Sequence, residues 1–148
     1  MCGLYADLCE RYGVELPSLQ EKTLLRLRSL LPEYARPDNP LDVTGSGLSR
    51  ELDKIVLAML EDENLHMVAP IFIPSQGEDD PLRFVNESYL SLVDTVEKPV
   101  IPIIFREMTQ FAEEDLSDRG LYFIENPGVG FKALSHLIRY AGFVRHGA

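Results

Sequence analysis

Apolar residues recur along this chain with two periods, and the two alternate. Leu4 and Leu8 stand one helical turn apart in a stretch closed by Gly13, which predicts a first helix through residues 4–12 that starts at residue 2 or 3. Val14, Glu15 and Leu16 read as a short strand. Ser18 and Glu21 form a capping-box pair. The helix they open runs to Leu31, where Pro32 ends it, with Leu24, Leu27 and Leu31 on its apolar face and Leu30 widening it. Arg26 and Arg28 lie off that face. The cleanest amphipathic spacing follows: Leu52, Ile55, Val56, Met59 and Leu60 fall at i, i+3, i+4, i+7 and i+8, in a helix that begins near Ser49. Residues 67–73, Met-Val-Ala-Pro-Ile-Phe-Ile, are continuously apolar, as in a strand buried on both faces of a parallel sheet. Pro70 counts against it, because proline removes a ladder donor.

The second half repeats the alternation. Residues 74–80 are a polar loop, and Asp80-Pro81 is a cap followed by proline at the first helical position. Leu82, Val85, Tyr89, Leu92, Val93 and Val96 line the next helix. A second apolar run occupies residues 100–105. Thr109 can cap a helix containing Phe111, Ala112 and Leu116, which Gly120 ends. Residues 121–124 form a last strand. Asn126-Pro127 repeats the cap-plus-proline start of a helix whose apolar face is Phe131, Leu134, Leu137, Ile138 and Ala141. Strands alternating with helices of about 10–15 residues imply right-handed βαβ units and a parallel sheet.

One stretch stands apart: Asn39-Pro40-Leu41-Asp42-Val43-Thr44-Gly45. Pro40 biases Asn39 toward an extended backbone. Alternation sets Leu41 and Val43 on one side and Asp42 on the other. Thr44-Gly45-Ser46-Gly47 then frees the backbone ahead of a helix. An extended piece, a small-residue loop and a helix form the kind of place where ligands sit in open α/β sheets. A plain connection reads equally well. On either reading Asp42 is structural first: its carboxylate is expected to accept N–H groups of residues 44–47.

Length and charge narrow the function classes. At 148 residues the chain is expected to be one domain. A net charge of −10 argues against nucleic acid or an anionic membrane as partner, though backbone N–H groups can still bind a small anion. Cys2 and Cys9 make neither a disulfide framework nor a metal pattern, and read as reduced thiols of a cytoplasmic protein. No apolar run reaches the ~18 residues that span a bilayer, and no secretory signal is visible. His66 precedes a strand, His136 is mid-helix and His146 lies in the tail. No Ser-His-Asp set, Cys-His set or metal spacing can be placed on the carboxyl edge of the sheet, so neither a catalytic residue nor a metal site is expected in this chain. A phosphoryl-receiver pattern fails because Lys98-Pro99 precedes its strand. A flavodoxin phosphate loop would follow the first strand and carry more hydroxyls than residues 44–47. No dinucleotide fingerprint follows any strand. Ser75 and Gln76, after the first apolar run, could hydrogen-bond an anion or a partner loop.

The order of these pieces resembles the last flavodoxin-like domain of the NDP-forming acyl-CoA synthetases, relatives of succinyl-CoA synthetase. The matching residues are Ala6-Asp7, Ser18 through Leu30-Leu31-Pro32, the Asn39–Gly45 stretch, Pro74-Ser75-Gln76 and Lys98-Pro99-Val100. They span nearly the whole chain, and the Asn39–Gly45 stretch is the most specific. The family's first strand and its Ser-Gly-Gly turn have no counterpart, and Met1 falls where an internal residue would stand. Arg106-Glu107-Met108 replaces a loop that often carries Gly or Ser.

The resemblance implies a flavodoxin-like three-layer α/β domain with about four main strands, a probable fragment of a larger multidomain chain. It implies a part in an acid–thiol ligase in which acyl-CoA and phosphate give an acyl phosphate, a histidine takes the phosphoryl group, and ADP receives it. The phosphohistidine, CoA-binding and ATP-grasp domains would be neighbours, and the parent's cofactors would be CoA, ATP or ADP, and Mg, none held by this domain alone. The isolated chain is expected to be inactive. Its share would be electrostatic, with the amino end of the first helix near Cys2 and Gly3, and Ser75 and Gln76, close to the phosphate. Asn39, Asp42, Thr44 and Gly45 would position the loop. The alternative is a non-catalytic flavodoxin-like module that binds a partner protein or a small anion. In this fold the first strand is central, so the piece near Val14 and the run at 67–73 would face a gap. The chain alone is therefore expected to be poorly stable or self-associating until about ten upstream residues are added.

Overall fold

The computed structural model describes residues 2–43, 51–72, 87–105, 114 and 117–146. In chain order the elements are α1 (Cys2–Tyr12), α2 (Glu21–Leu30), α3 (Leu52–Leu60), β1 (Ile71–Phe72), α4 (Glu87–Thr95), β2 (Ile103–Ile104), β3 (Ile124–Glu125) and α5 (Pro127–His146). The three strands pair in the order β1-β2-β3, all parallel. An added bridge joins Val68 to Val100 ahead of β1 and β2.

Strand alternation makes this sheet the middle of three layers. Ile103 faces one side and packs with Tyr5, Cys9, Phe131 and Leu134 of α1 and α5. Its neighbour Ile104 faces the other side, in a cluster with Phe72, Tyr89 and the α3 residues Leu52, Val56 and Leu60. Both isoleucines are fully buried, as the centre of a covered parallel sheet requires. α5 lies so close to β2 that a Cβ at Gly130 would stand 2.8 Å from Ile103 Cδ1. α2 is docked on α3 through Leu27, Leu31, Ile55 and Met59. The α3 spacing is borne out completely: Leu52, Ile55, Val56, Met59 and Leu60 are all buried.

Elsewhere the structure corrects the reading of the sequence. α1 buries Tyr5 and Cys9, while Leu4 is exposed. Leu8 packs against the same cluster from the side, and Tyr5 stacks on Phe131, ring centroids 6.2 Å apart. Residues 14–16 form no strand, and Leu16 is exposed. The sheet has three strands among the described residues where about four were expected, and each is two residues long. Residues 67–71 are half-buried, not buried on both faces. The last strand begins at Ile124, three residues later than its apolar run.

The capping box of α2 is not used: Gln20 is its N-cap, and no local side chain caps it. On α5, Phe131 and Leu134 are buried as expected, but Leu137, Ile138 and Ala141 are exposed, because the helix runs past the sheet. Its start is as expected. Asn126 adopts φ 69° and its side-chain Oδ1 accepts the Gly128 N–H at 2.9 Å. Gly13 and Gly120 follow at φ 67° and 76°, conformations that suit glycine at chain reversals. The loop at 74–80, the Asp80-Pro81 start, and the helix expected from Thr109 to Leu116 lie outside the described residues, apart from Glu114.

Candidate functional site

The start of α1 and the extended residues 39–43 meet at one corner of the molecule. The Cys2 thiol donates to the Asp42 carboxylate. Burial pushes the Cys2 thiol up from its ordinary value, and the Asp42 charge raises it further, so Cys2 is a neutral thiol at neutral pH. Burial alone raises Cys9 in the same way. Both cysteines are free. Gly3 is exposed beside Cys2, and a Cβ there would meet nothing within 4 Å. The first turn of α1 carries no acidic side chain, so no carboxylate of its own competes for the N–H groups that every helix start leaves unpaired.

Residues 39–43 reach this corner through two ties. The Asn39–Pro40 peptide is cis. The Asn39 side-chain Nδ2 donates to the Pro17 carbonyl at 3.0 Å, which anchors the segment to the turn before α2. Leu41 and Val43 pack onto the α2–α3 cluster and Asp42 points out, the alternation read from the sequence. Thr44 and Gly45 lie outside the described residues, so the bonds expected from residues 44–47 to Asp42 do too. Ser75 and Gln76 are likewise outside. Of the eight residues singled out, the structure therefore gathers Cys2, Gly3, Asn39 and Asp42.

Behind the corner opens an apolar cleft of about 530 Å³. Its walls are α1 and α5 on one side, through Tyr5, Cys9 and Phe131, and α3 on the other, through Leu52, Ile55 and Val56. The Tyr5 hydroxyl is buried with no hydrogen-bond partner among the described residues, and burial, with Cys2 nearby, raises its ordinary value. Most of its lining is hydrocarbon, with Glu15, Asn39 and Asp42 as its polar members.

A buried carboxylate that the sequence reading missed holds the neighbouring layer together. Asp62, at the end of α3, is completely buried. It accepts the Gln20 N–H at 2.8 Å, the Asn64 N–H at 2.9 Å and the Thr23 hydroxyl. Burial would raise its proton affinity, but these bonds and the Lys22 charge outweigh burial and hold it below the usual carboxylate range. Its backbone carbonyl accepts from Lys98 Nζ at 2.7 Å, which ties the entry of β2 to the same knot. The local signal was Asp62-x-Asn64, an Asx-turn pattern after a helix. Its target, the start of α2, lies 42 residues away and has no sequence signal. Around it Lys22 pairs with Glu63 at 3.0 Å, and Arg26 pairs with Glu61.

His66 and His136 are exposed and far from this corner in the chain. No group of three or more His, Cys, Asp or Glu is gathered for a metal among the described residues. No described helix is long and apolar enough to cross a membrane.

No protein-family model matches the chain. Sequence comparison finds the alpha subunit of the ADP-forming acetate–CoA ligase II of Pyrococcus furiosus, 29% identical over 128 residues, which are 84% of this chain and 28% of that one. The ADP-forming acetate–CoA ligase I of Archaeoglobus fulgidus is 25% identical over 138 residues, 92% of this chain and 19% of the ligase. A trans-feruloyl-CoA synthase of an unknown prokaryotic organism is 31% identical over 101 residues, 67% of this chain and 14% of the synthase. Two ADP-forming acetate–CoA ligases and a feruloyl-CoA synthase thus align with the same short chain. The chain is a domain of the NDP-forming acyl-CoA synthetase type.

Solved structures agree on the fold of this synthetase domain. A protein of Pyrococcus horikoshii OT3 superposes with TM-score 0.70 at 27% identity, over 90% of this chain and 32% of that one. The dinucleotide-forming acetyl-coenzyme A synthetase 1 of Ca. Korarchaeum cryptofilum, in its apo form, superposes with TM-score 0.75 at 18% identity, over 95% of this chain and 31% of that one. The domain spans less than a third of each of these relatives.

Proposed function

We propose that this domain works within a larger ADP-forming acyl-CoA synthetase, where the amino end of α1 stabilises a phosphohistidine carried by a neighbouring domain. The observation that carries the reading is the open start of α1. Cys2 and Gly3 begin the helix, Gly3 is exposed, and the first turn has no acid. Helix starts concentrate unpaired N–H groups and about +0.5 of a charge, which favours an anion. Asp42 sits on the Cys2 side of this turn, so a phosphate approaches along the Gly3 side. The resemblances support the reaction: phosphate displaces CoA from an acyl-CoA to give an acyl phosphate, the histidine takes its phosphoryl group and releases the acid, and ADP takes that group from the histidine. On this reading the domain's own part is electrostatic. CoA, nucleotide and Mg are assigned to the partner domains, and the setting to the cytoplasm. On this reading residues 1–148 alone form no acyl-CoA.

Gly3→Asp in the complete synthetase tests the assignment. The new side chain has room and puts a carboxylate where the phosphate would come. The steady-state level of phosphorylated histidine and kcat should both fall about tenfold, the equivalent of 1.4 kcal/mol, with the melting temperature unchanged. Unaltered phosphorylation would favour the other reading, a non-catalytic flavodoxin-like module that binds a partner protein or a small anion.

A further inference from the structure

α5 carries apolar side chains on two opposite sides. Phe131, Leu134 and Ser135 are buried and mark the side toward the sheet. At 3.6 residues per turn, Val129, Ala133, His136, Tyr140 and Phe143 line up on the side away from it, spaced alternately by four and three residues. They are exposed, Val129 at 58%, Tyr140 at 66% and Phe143 at 73%. Single exposed apolar residues need no explanation, but this spacing is the seam by which one helix packs along another. The charges beside the seam have one sign. Lys132 and Arg139 stand seven residues apart on the same flank, and both are exposed. Neither makes an ion pair with a described residue. α5 holds no acidic residue in its 20 positions, although the chain carries 24.

We propose that the outward face of α5 docks an acidic amphipathic helix from another domain of the synthetase, its apolar seam on Val129, Tyr140 and Phe143 and its carboxylates against Lys132 and Arg139. A helix is the occupant because the seam repeats every seven residues, which the period of two in a strand cannot match. Charges that flank such a seam set the choice of partner. Two cations on one flank, with no acid on the helix, call for Asp or Glu opposite them. A second copy of this helix meets that demand poorly. Antiparallel seams would set Lys132 and Arg139 against their own copies, and parallel seams would set them against Leu137 and Val144, so neither pairing gains an ion pair. An anionic membrane is disfavoured by the net charge of −10 that the whole chain would bring to it. The domain spans 14–28% of the curated relatives, so proteins of this type hold ample polypeptide to supply the helix. The inference rests on membership of the synthetase family and on the α5 surface, and stands or falls separately from the phosphate reading.

The test puts the photo-reactive residue p-benzoylphenylalanine in place of Phe143 in the complete synthetase and locates its cross-link by mass spectrometry. The cross-link should fall in a helical segment outside this domain, where Asp or Glu flank an apolar seam. Its yield should drop about fivefold when Lys132→Glu and Arg139→Glu are combined, since two ion pairs become two repulsions. Raising the salt should lower the yield in the unsubstituted protein by screening the same pairs. Should the double charge reversal disturb folding, Lys132→Gln with Arg139→Gln removes the pairs without adding repulsion, and a smaller drop in yield decides. Four results would overturn the proposal: no cross-link beyond this domain, a cross-link to a second copy of α5, a cross-link to added anionic phosphatidylserine vesicles in preference to protein, or a yield that neither the charge variants nor salt reduce.

Discussion

Asp62 shows what a single side chain contributes when it is both buried and fully bonded. Its carboxylate answers the Gln20 N–H, the Asn64 N–H and the Thr23 hydroxyl. Hydrogen bonds to a charged group are worth about 1.5–3 kcal/mol each, and leaving their donors unpaired costs a comparable amount. Asp62→Asn keeps the shape but loses the charge and one acceptor, so the chain should lose about 2–3 kcal/mol at pH 7 in denaturant unfolding. The pH dependence has a definite sign. The folded carboxyl binds its proton less readily than the unfolded one. The stability it contributes is therefore complete above the unfolded value near 3.9 and is lost as the pH falls through the lower folded value. The gap between wild type and Asp62→Asn should stay constant from pH 7 to about 5 and narrow only below about 4. A gap that narrowed between pH 7 and 6 would show that another group carries the effect.

At the scale of elements, the starts of helices divide into those fixed by neighbours in sequence and those fixed at a distance. α5 is the first kind. Asn126 caps Gly128 with its side chain and holds φ 69° with its backbone. Asn126→Ala removes the cap and strains the backbone, and should cost about 1–2 kcal/mol in a thermal melt. Asn126→Gly keeps the conformation without the cap and should cost only a few tenths. Equal losses would mean that the cap bond alone matters.

Asn126-Pro127 was legible for this reason: both of its roles are local. α2 is the second kind, and the Ser18–Glu21 reading failed because Asp62 arrives from 42 residues away. The same division explains the strands. The runs at 67–73 and 100–105 were legible as parallel strands from their apolar character, yet residues 14–16 stayed unpaired because pairing needs a neighbour that no local pattern reveals. The candidate site was half legible: the alternation at 41–43 placed Asp42 outward, while the contact between Asp42 and Cys2 is a meeting of distant segments. Asp62 left only a weak turn signal.

At the scale of the whole molecule, two of the apolar surfaces among the described residues differ in kind. The cleft between α1 and α3 is walled by Tyr5, Cys9 and Phe131 on one side and Leu52, Ile55 and Val56 on the other. The far half of α5 is a helix surface: Leu137, Ile138, Tyr140, Phe143 and Val144 are all exposed, with Phe143 at 73%. A run of this kind on a chain with net charge −10 pits hydrophobic association against charge repulsion. Raising the salt screens the repulsion and should promote self-association in sedimentation measurements. Replacing Leu137, Tyr140 and Phe143 together by Gln separates the two surfaces. These residues contribute little to the fold as exposed groups, so each change should fall within about 0.5 kcal/mol, and the summed change should shift the melting temperature by only a few degrees. If α5 drives association, the triple variant stays monomeric at high salt. If it associates as before, the contact lies elsewhere on the molecule. A large fall in melting temperature would show instead that this half of α5 is packed in the folded chain, and would remove the argument that it is free to meet a partner.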